Sequence, residues 1–415
     1  MQASLSVAQP QRHVHGATVA GLNPNVLIWA RETAGFDQET AARKIGLKAA
    51  RGLSGEQRLA AIESGADQPT PALLSRMAAQ YHRPVLTFYL PKVPAAPELG
   101  QDFRTLPDQG DPSNVLLATL LRDVKARQAL IRETLEDDED AVEVDLVGAA
   151  VGVANAKALA ELMVEAIGFD RAAYRSAARS EDAFAYLRAL VEANGIFVLL
   201  AGDCGHWSTA IEVGVFRGFA IADPLAPFIV VNDQDAKAAW PFTLLHEVAH
   251  LLLGETGVSG GPPAAGVEQL CNDAAAAILV DEAEVVNLGT LLRGNSGDTA
   301  IIDALADRAR ISRTMVAYQL FRTGVIAEAR WAELRDVFRA HWLAQKERAR
   351  EQSRGKEGGP NWYVVRRHRL GSAILAVARQ GMADGSLTPT RAARMLGVKP
   401  MNVYPLLADT RRGVA

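Results

Sequence analysis

Apolar residues recur along most of this chain at the three- and four-residue spacing of amphipathic helices. After a polar tail over residues 1–19, "NPNVLIWARETAGFDQETAARKIG" predicts two helices. The first holds Val26, Leu27 and Ala30, the second Ala41, Ala42 and Ile45, and Gly35 and Gly46 end them. In "LSGEQRLAAIESG", Ser54 precedes Gln57 by the three residues of a capping box. In "TPALLSRMAAQYHRP", Thr70 is placed to cap a helix that begins at Pro71. These elements predict a compact helical module over residues 20–92.

"VPAAPELGQDFRTLPDQGDPS" then breaks the periodicity with Pro, Gly and Asp, so residues 93–165 read as a linker and a helical connection interrupted by the acidic run "EDDEDAVEVD". Between 183 and 235 the pattern changes. "AFAYLRALVEANGIFVLLAG" is a helix closed by Gly195 and followed by a strand over 196–200, and "FRGFAIADPLAPFIVVND" contains two short apolar runs. Two or three strands are expected to make a small sheet. Past Val280 helical spacing returns, and residues 331–415 form a basic helical end in which "LTPTRAARMLGV" echoes the earlier "FDQETAARKIGL". The fold class expected is α+β, predominantly α, with a middle domain over 166–330.

Composition changes this picture little: 415 residues, 49% hydrophobic and 22% charged, suit two or three folded domains. No apolar run approaches the roughly 18 residues of a membrane-spanning helix, and the first residues lack the hydrophobic segment of a secretory signal. A cytoplasmic protein with no membrane partner is expected. Cys204 and Cys271 are too few for a disulfide framework. Charge adds an asymmetry: residues 1–92 carry 10 Lys/Arg against 6 Asp/Glu, and 330–415 carry 17 against 7. With a net charge of -4 overall, the middle is strongly acidic. Basic ends suit nucleic acid, or attraction to the acidic middle.

The chemistry lies in "FTLLHEVAHLLLG", residues 242–254. Helix positions i and i+4 share a face, so His246 and His250 aim their imidazoles at one point, and Glu247 lies beside them as a candidate general base. Flanked by Leu244, Leu245, Val248, Ala249, Leu251 and Leu252, these polar groups sit where burial is unfavourable unless something ligates or hydrogen-bonds them. The His-Glu-x-x-His spacing is that of zinc peptidases, so Zn2+ is the expected cofactor and a zincin-like domain the expected setting.

A third ligand must come from elsewhere. Glu268 opens the helix "VEQLCNDAAAAIL" and is the leading choice, with Glu255, Asp273 and Glu282 as alternatives. Asn272, one turn beyond Glu268, is a candidate to orient a ligand. Cys271 reads as a packed residue, and His206 in "DCGHWS" is a candidate to line the substrate cleft.

With these residues in view, the chain resembles the ImmA/IrrE family of metallopeptidases, on "FRGFAIADPLAPFIVVND", "FTLLHEVAHLLLGETG" and "EQLCNDAAAAIL" in that order, over about residues 165–290. The family's Glu-x-x-x-Asn segment maps onto Glu268 and Asn272. Residues 24–90 resemble an XRE-type (Cro/repressor-like) helix-turn-helix, but "LKAARGLSGEQRL" is longer than that family's tight turn. Arg43, Lys44, Lys48, Arg51 and Arg58 are candidates for DNA phosphate contacts.

The resemblance implies a cytoplasmic protease that cleaves a repressor or similar regulator and so controls transcription, in stress responses or mobile elements. Some relatives sit in toxin–antitoxin-like pairs, and helix-turn-helix modules of this type commonly pair as homodimers. The competing expectation is a DNA-binding regulator whose zinc domain senses or docks rather than cleaves.

Overall fold

The computed structural model describes residues 21–50, 52–94, 112–137, 141–205, 209–259, 266–292, 298–354 and 361–408. They fall into two compact units. The first takes in 21–94 together with 112–115, and the second begins at Leu116.

In the first unit, four helices, α1 (Pro24–Glu32), α2 (Gln38–Lys44), α3 (Gly55–Glu63) and α4 (Pro71–Gln80), enclose Leu27, Ala41, Ile45, Leu59, Leu74, Met77 and Phe88. The anticipated caps are in place. Ser54 and Gln57 exchange the two hydrogen bonds of a capping box, and Thr70 caps α4 ahead of Pro71. A buried Arg31–Glu63 ion pair at 2.7 Å joins α1 to α3, and Gln38 donates to the second Glu63 oxygen at 2.9 Å.

The second unit is predominantly helical around one small sheet. The body of α5 (Pro112–Glu136), then α6 (Ala156–Ile167), α7 (Arg171–Arg175) and α8 (Ser180–Ala193) lead to β1 (Phe197–Leu200), β2 (Gly218–Ile221) and β3 (Phe228–Val231). α9 (Trp240–Leu252) follows, then β4 (Gly257–Ser259), α10 (Val267–Leu279), α11 (Glu282–Leu292), α12 (Asp298–Ala309), α13 (Arg313–Arg322) and the long α14 (Glu328–Arg354). The last described elements are α15 (Trp362–Leu370), α16 (Ser372–Asp384), α17 (Pro389–Leu396) and α18 (Val403–Leu407).

The sheet runs β1-β3-β2-β4, with β1 parallel to β3 and the other pairs antiparallel. The sequence pattern predicts two or three strands, and the structure has a fourth. β4 is three residues long, and its pairing with β2 defines it rather than an apolar run of its own. All four residues of β1, β2 and β3 are buried, because helices cover the sheet. One core gathers α6, α8, the sheet, α9, α10, α12 and α13, and takes in Leu334 and Phe338 of α14.

The basic C-terminal helices are tied to this core by specific pairs. Arg369 bonds Asp203 at 2.9 Å and Asp233 at 2.6 Å, Arg391 bonds Glu133 at 2.8 Å, and Lys346 donates to the Gln234 carbonyl at 3.0 Å. Of the two uses that the charge asymmetry allows, Arg369 and Arg391 serve attraction to the acidic middle. Among the described residues no helix is long and apolar enough to cross a membrane.

Candidate metal centre

α9 is apolar on every side, and its environment matches: Trp240, Pro241 and every residue from Thr243 to Leu252 are buried. It packs on β2 and β3 and against α6, α8 and α10. Pro241 stands in the first turn, where its missing N–H breaks no helix bond. This setting holds His246 and His250 one turn apart with their Nε2 atoms 3.1 Å from each other.

α10 brings in the carboxylate. Glu268, in its first turn, lies 3.3 Å from His246 Nε2 through Oε2 and 3.2 Å from His250 Nε2 through Oε1. Among the described residues these three side chains form the group able to hold a metal ion. A tetrahedral ion with bonds of about 2.0–2.1 Å separates its ligands by about 3.3–3.4 Å. The observed spacings of 3.1–3.3 Å fit such an ion with little movement. The two imidazoles are 4% and 1% exposed and Glu268 is 26% exposed, so the centre opens to solvent on the Glu268 side.

The electrostatics favour positive charge at this point. Burial works against the Glu268 carboxylate, but hydrogen bonds to His246 and His250 outweigh it and bring the group down to about 2. At His250 burial opposes protonation, yet the Cys271 thiol, Glu268 and the Glu247 charge raise it to about 11. A field that holds a proton on His250 also attracts a divalent cation. Burial pushes the Cys271 thiol up, so it stands beside His250 as a neutral group.

Glu247 is fully buried, on the side of α9 that meets β2. There Gly218 leaves the space that the carboxylate occupies: a Cβ at Gly218 would lie 2.7 Å from Glu247 Oε1, 2.7 Å from Thr243 Cγ2 and 3.0 Å from the Val230 carbonyl. Gly218 lies outside the His-Glu-x-x-His and Glu-x-x-x-Asn motifs. Its signal is a glycine inside a strand pattern, "FRGFAIA", which marks close approach of another group.

The other candidates are placed as follows. Asn272 is half-buried one turn beyond Glu268, and Glu255 is half-buried just past α9. Asp273 pairs with Arg322 at 2.9 Å, and Glu282 is exposed on α11. Arg43, Lys44 and Lys48 are exposed on the first unit, where Lys44 also stands over the Phe36 ring at 5.1 Å. Arg58 donates to the Lys48 carbonyl at 2.6 Å. His206 and Arg51 lie outside the described residues.

Residues 209–321 match the family model of the IrrE N-terminal-like domain, Peptidase_M78. The match spans β2 through α13 and contains His246, Glu247, His250 and Glu268. It begins later and runs further than the 165–290 over which the sequence motifs carry the resemblance. This region is therefore similar to a metallopeptidase domain, and a metal cofactor is in keeping with that family. No curated protein and no solved structure matches the chain.

Proposed function

We propose that this protein is a zinc-dependent endopeptidase that cleaves a regulatory protein, with His246, His250 and Glu268 as metal ligands and Glu247 as general base. The observation that carries this reading is the meeting of two imidazole Nε2 atoms and one carboxylate at 3.1–3.3 Å, with Glu247 next in sequence to the first ligand. A bound zinc ion would polarise the scissile carbonyl and acidify the attacking water. Glu247 accepts the proton of that water and returns it to the leaving amine. Gly218 holds open the space for the Glu247 carboxylate. The surrounding leucines exclude bulk water, which strengthens every charge interaction inside.

The family resemblance supports a repressor-type substrate. The test is co-expression with products of neighbouring genes, followed by mapping of new N-termini by mass spectrometry. Cleavage by the wild-type chain and its loss by about 10²–10⁴-fold in Glu247→Gln, with zinc retained, is expected. A Glu247→Gln chain that cleaves its partner at the wild-type rate overturns the mechanism.

A further inference from the structure

Residues 388–398 repeat, position for position, a unit found at 37–47. Asp37 and Thr388 are N-caps whose side chains accept from the backbone N–H three residues on, at Thr40 and Arg391. The helices that follow bury Ala41 and Ala42 in one copy and Ala392 and Ala393 in the other, then Ile45 and Leu396. Gly46 and Gly397 close them with left-handed backbone, at φ 69° and 60°. The sequence echo is thus also a conformational one.

What comes next differs. After Gly46 the chain runs through 47–54, with a bridge between Ala50 and Leu53, before α3 starts at Gly55. After Gly397 only Val398 and Lys399 precede a 3-10 turn over Pro400–Asn402 that continues into α18. A glycine-containing turn of three or four residues is what a helix-turn-helix requires. The C-terminal copy has it, and the N-terminal copy does not.

We infer that α17, the turn 397–399 and the helix running from Pro400 to Leu407 form a helix-turn-helix that docks on duplex DNA, with that second helix facing the major groove. Val403 and Leu406 are fully buried and hold the second helix in place, while Lys399 in the turn is exposed and the outer face of the helix exposes Met401 at 78% and Tyr404 at 65%. A lysine and a phenol suit phosphate contacts, and an exposed thioether suits the thymine methyl group.

Charge selects the partner. Residues 361–408 carry seven Lys/Arg and a single acidic residue, Asp384. Arg369 and Arg391 are already paired with Asp203, Asp233 and Glu133, which leaves five cations, Arg366, Arg367, Arg379, Arg394 and Lys399, against that one acid. Arg366 donates to the Leu396 and Gly397 carbonyls, Arg367 to those of Pro405, Leu406 and Ala408, and Arg379 to that of Leu407. These bonds fix the ends of both helices, as docking in a groove requires, and carbonyl acceptors do not cancel the arginine charge. Met401 and Tyr404 alone would also suit a protein partner, but the basic excess around them favours a polyanion.

The test is fluorescence anisotropy of the full-length chain with a labelled mixed-sequence duplex about 30 base pairs long. Affinity is expected to fall on the order of tenfold or more between about 50 and 200 mM salt. Arg394→Glu with Lys399→Glu, both on exposed side chains, is expected to weaken binding on the order of tenfold and to flatten the salt dependence. Unchanged thermal unfolding shows that the variant is folded, and Met401→Ala with Tyr404→Ala gives a second, uncharged probe of the same face. Glu247→Gln is expected to bind as wild type, which separates this test from the peptidase reading. No duplex binding at about 50 mM salt overturns the inference. So does binding that survives both α17–α18 variants and is lost in Lys44→Glu with Lys48→Glu.

Discussion

Gly218 on β2 and Glu247 on α9 approach so closely that one added carbon at Gly218 would stand 2.7 Å from the Glu247 carboxylate. Either the carboxylate or the strand must move when that carbon is added. Gly218→Ala is therefore expected to lower kcat by on the order of tenfold to a hundredfold. Zinc content should stay unchanged, and overpacking should cost about 1–3 kcal/mol of stability. Steady-state kinetics and metal analysis of one preparation check this. A variant with normal kcat and raised KM would place Gly218 in substrate binding rather than beside the base.

The ligand set makes a separate prediction. His250→Ala or Glu268→Ala should lose stoichiometric zinc, because each removes one of the three proposed ligands, whereas Glu247→Gln should keep it. An ion that binds only the folded state stabilises it by about 4 kcal/mol when its concentration exceeds Kd a thousandfold. A chelator should accordingly lower the Tm of the wild type and of Glu247→Gln but leave Glu268→Ala nearly unmoved. Elemental analysis and melting curves with and without chelator read the two outcomes.

Neither cysteine is expected to react as a free thiol near neutrality. Cys204 donates to the Leu116 carbonyl at 3.4 Å, and burial pushes its thiol up to about 12; Cys271 is fully buried and its thiol is raised as well. A raised pKa means that thiolate is scarce below it, so labelling should be slow at pH 8 and accelerate as pH rises toward 12. Counting thiols with a colorimetric disulfide reagent, before and after denaturation, checks this. Two fast thiols in the folded chain would contradict the burial.

The parts of the fold legible in the sequence are those set by neighbours within one or two helical turns. The Ser54–Gln57 box, the Thr70 cap and the His246–His250 spacing each need only a few residues of context, and the structure has all three. Glu268 lies far enough along the chain to require an assumption about packing, and α10 supplies that packing by lying against α9. What was not legible depends on distant partners. β4 exists through its pairing with β2, and the space at Gly218 matters only because α9 crosses β2 there. The cluster at 366–369 reads as a generic basic patch until its acceptors appear: carbonyls of residues 396–408, and Asp203 and Asp233 more than a hundred residues upstream.

The attachment of the C-terminal helices rests on Arg188. This guanidinium is buried in α8, donates to Glu192 at 3.1 Å, and also reaches the carbonyls of Val198 in β1 and of His368 and Arg369 in α15. Glu192 in turn accepts from the Ser372 backbone N–H at 2.9 Å, so one ion pair joins α8, the sheet and the start of α16. Removing the arginine leaves the buried Glu192 carboxylate without its counter-charge and three carbonyls without this donor, a loss of about 3–5 kcal/mol. Arg188→Met is expected to destabilise the second unit by that amount and to release α15–α18 to proteolysis before the core unfolds. Glu192→Gln should cost less, because its amide keeps one hydrogen bond with Ser372. Limited proteolysis with mass-spectrometric mapping, alongside denaturant melts, checks the order. Equal cleavage of wild type and Arg188→Met near residue 371 would mean that other contacts hold the helices in place.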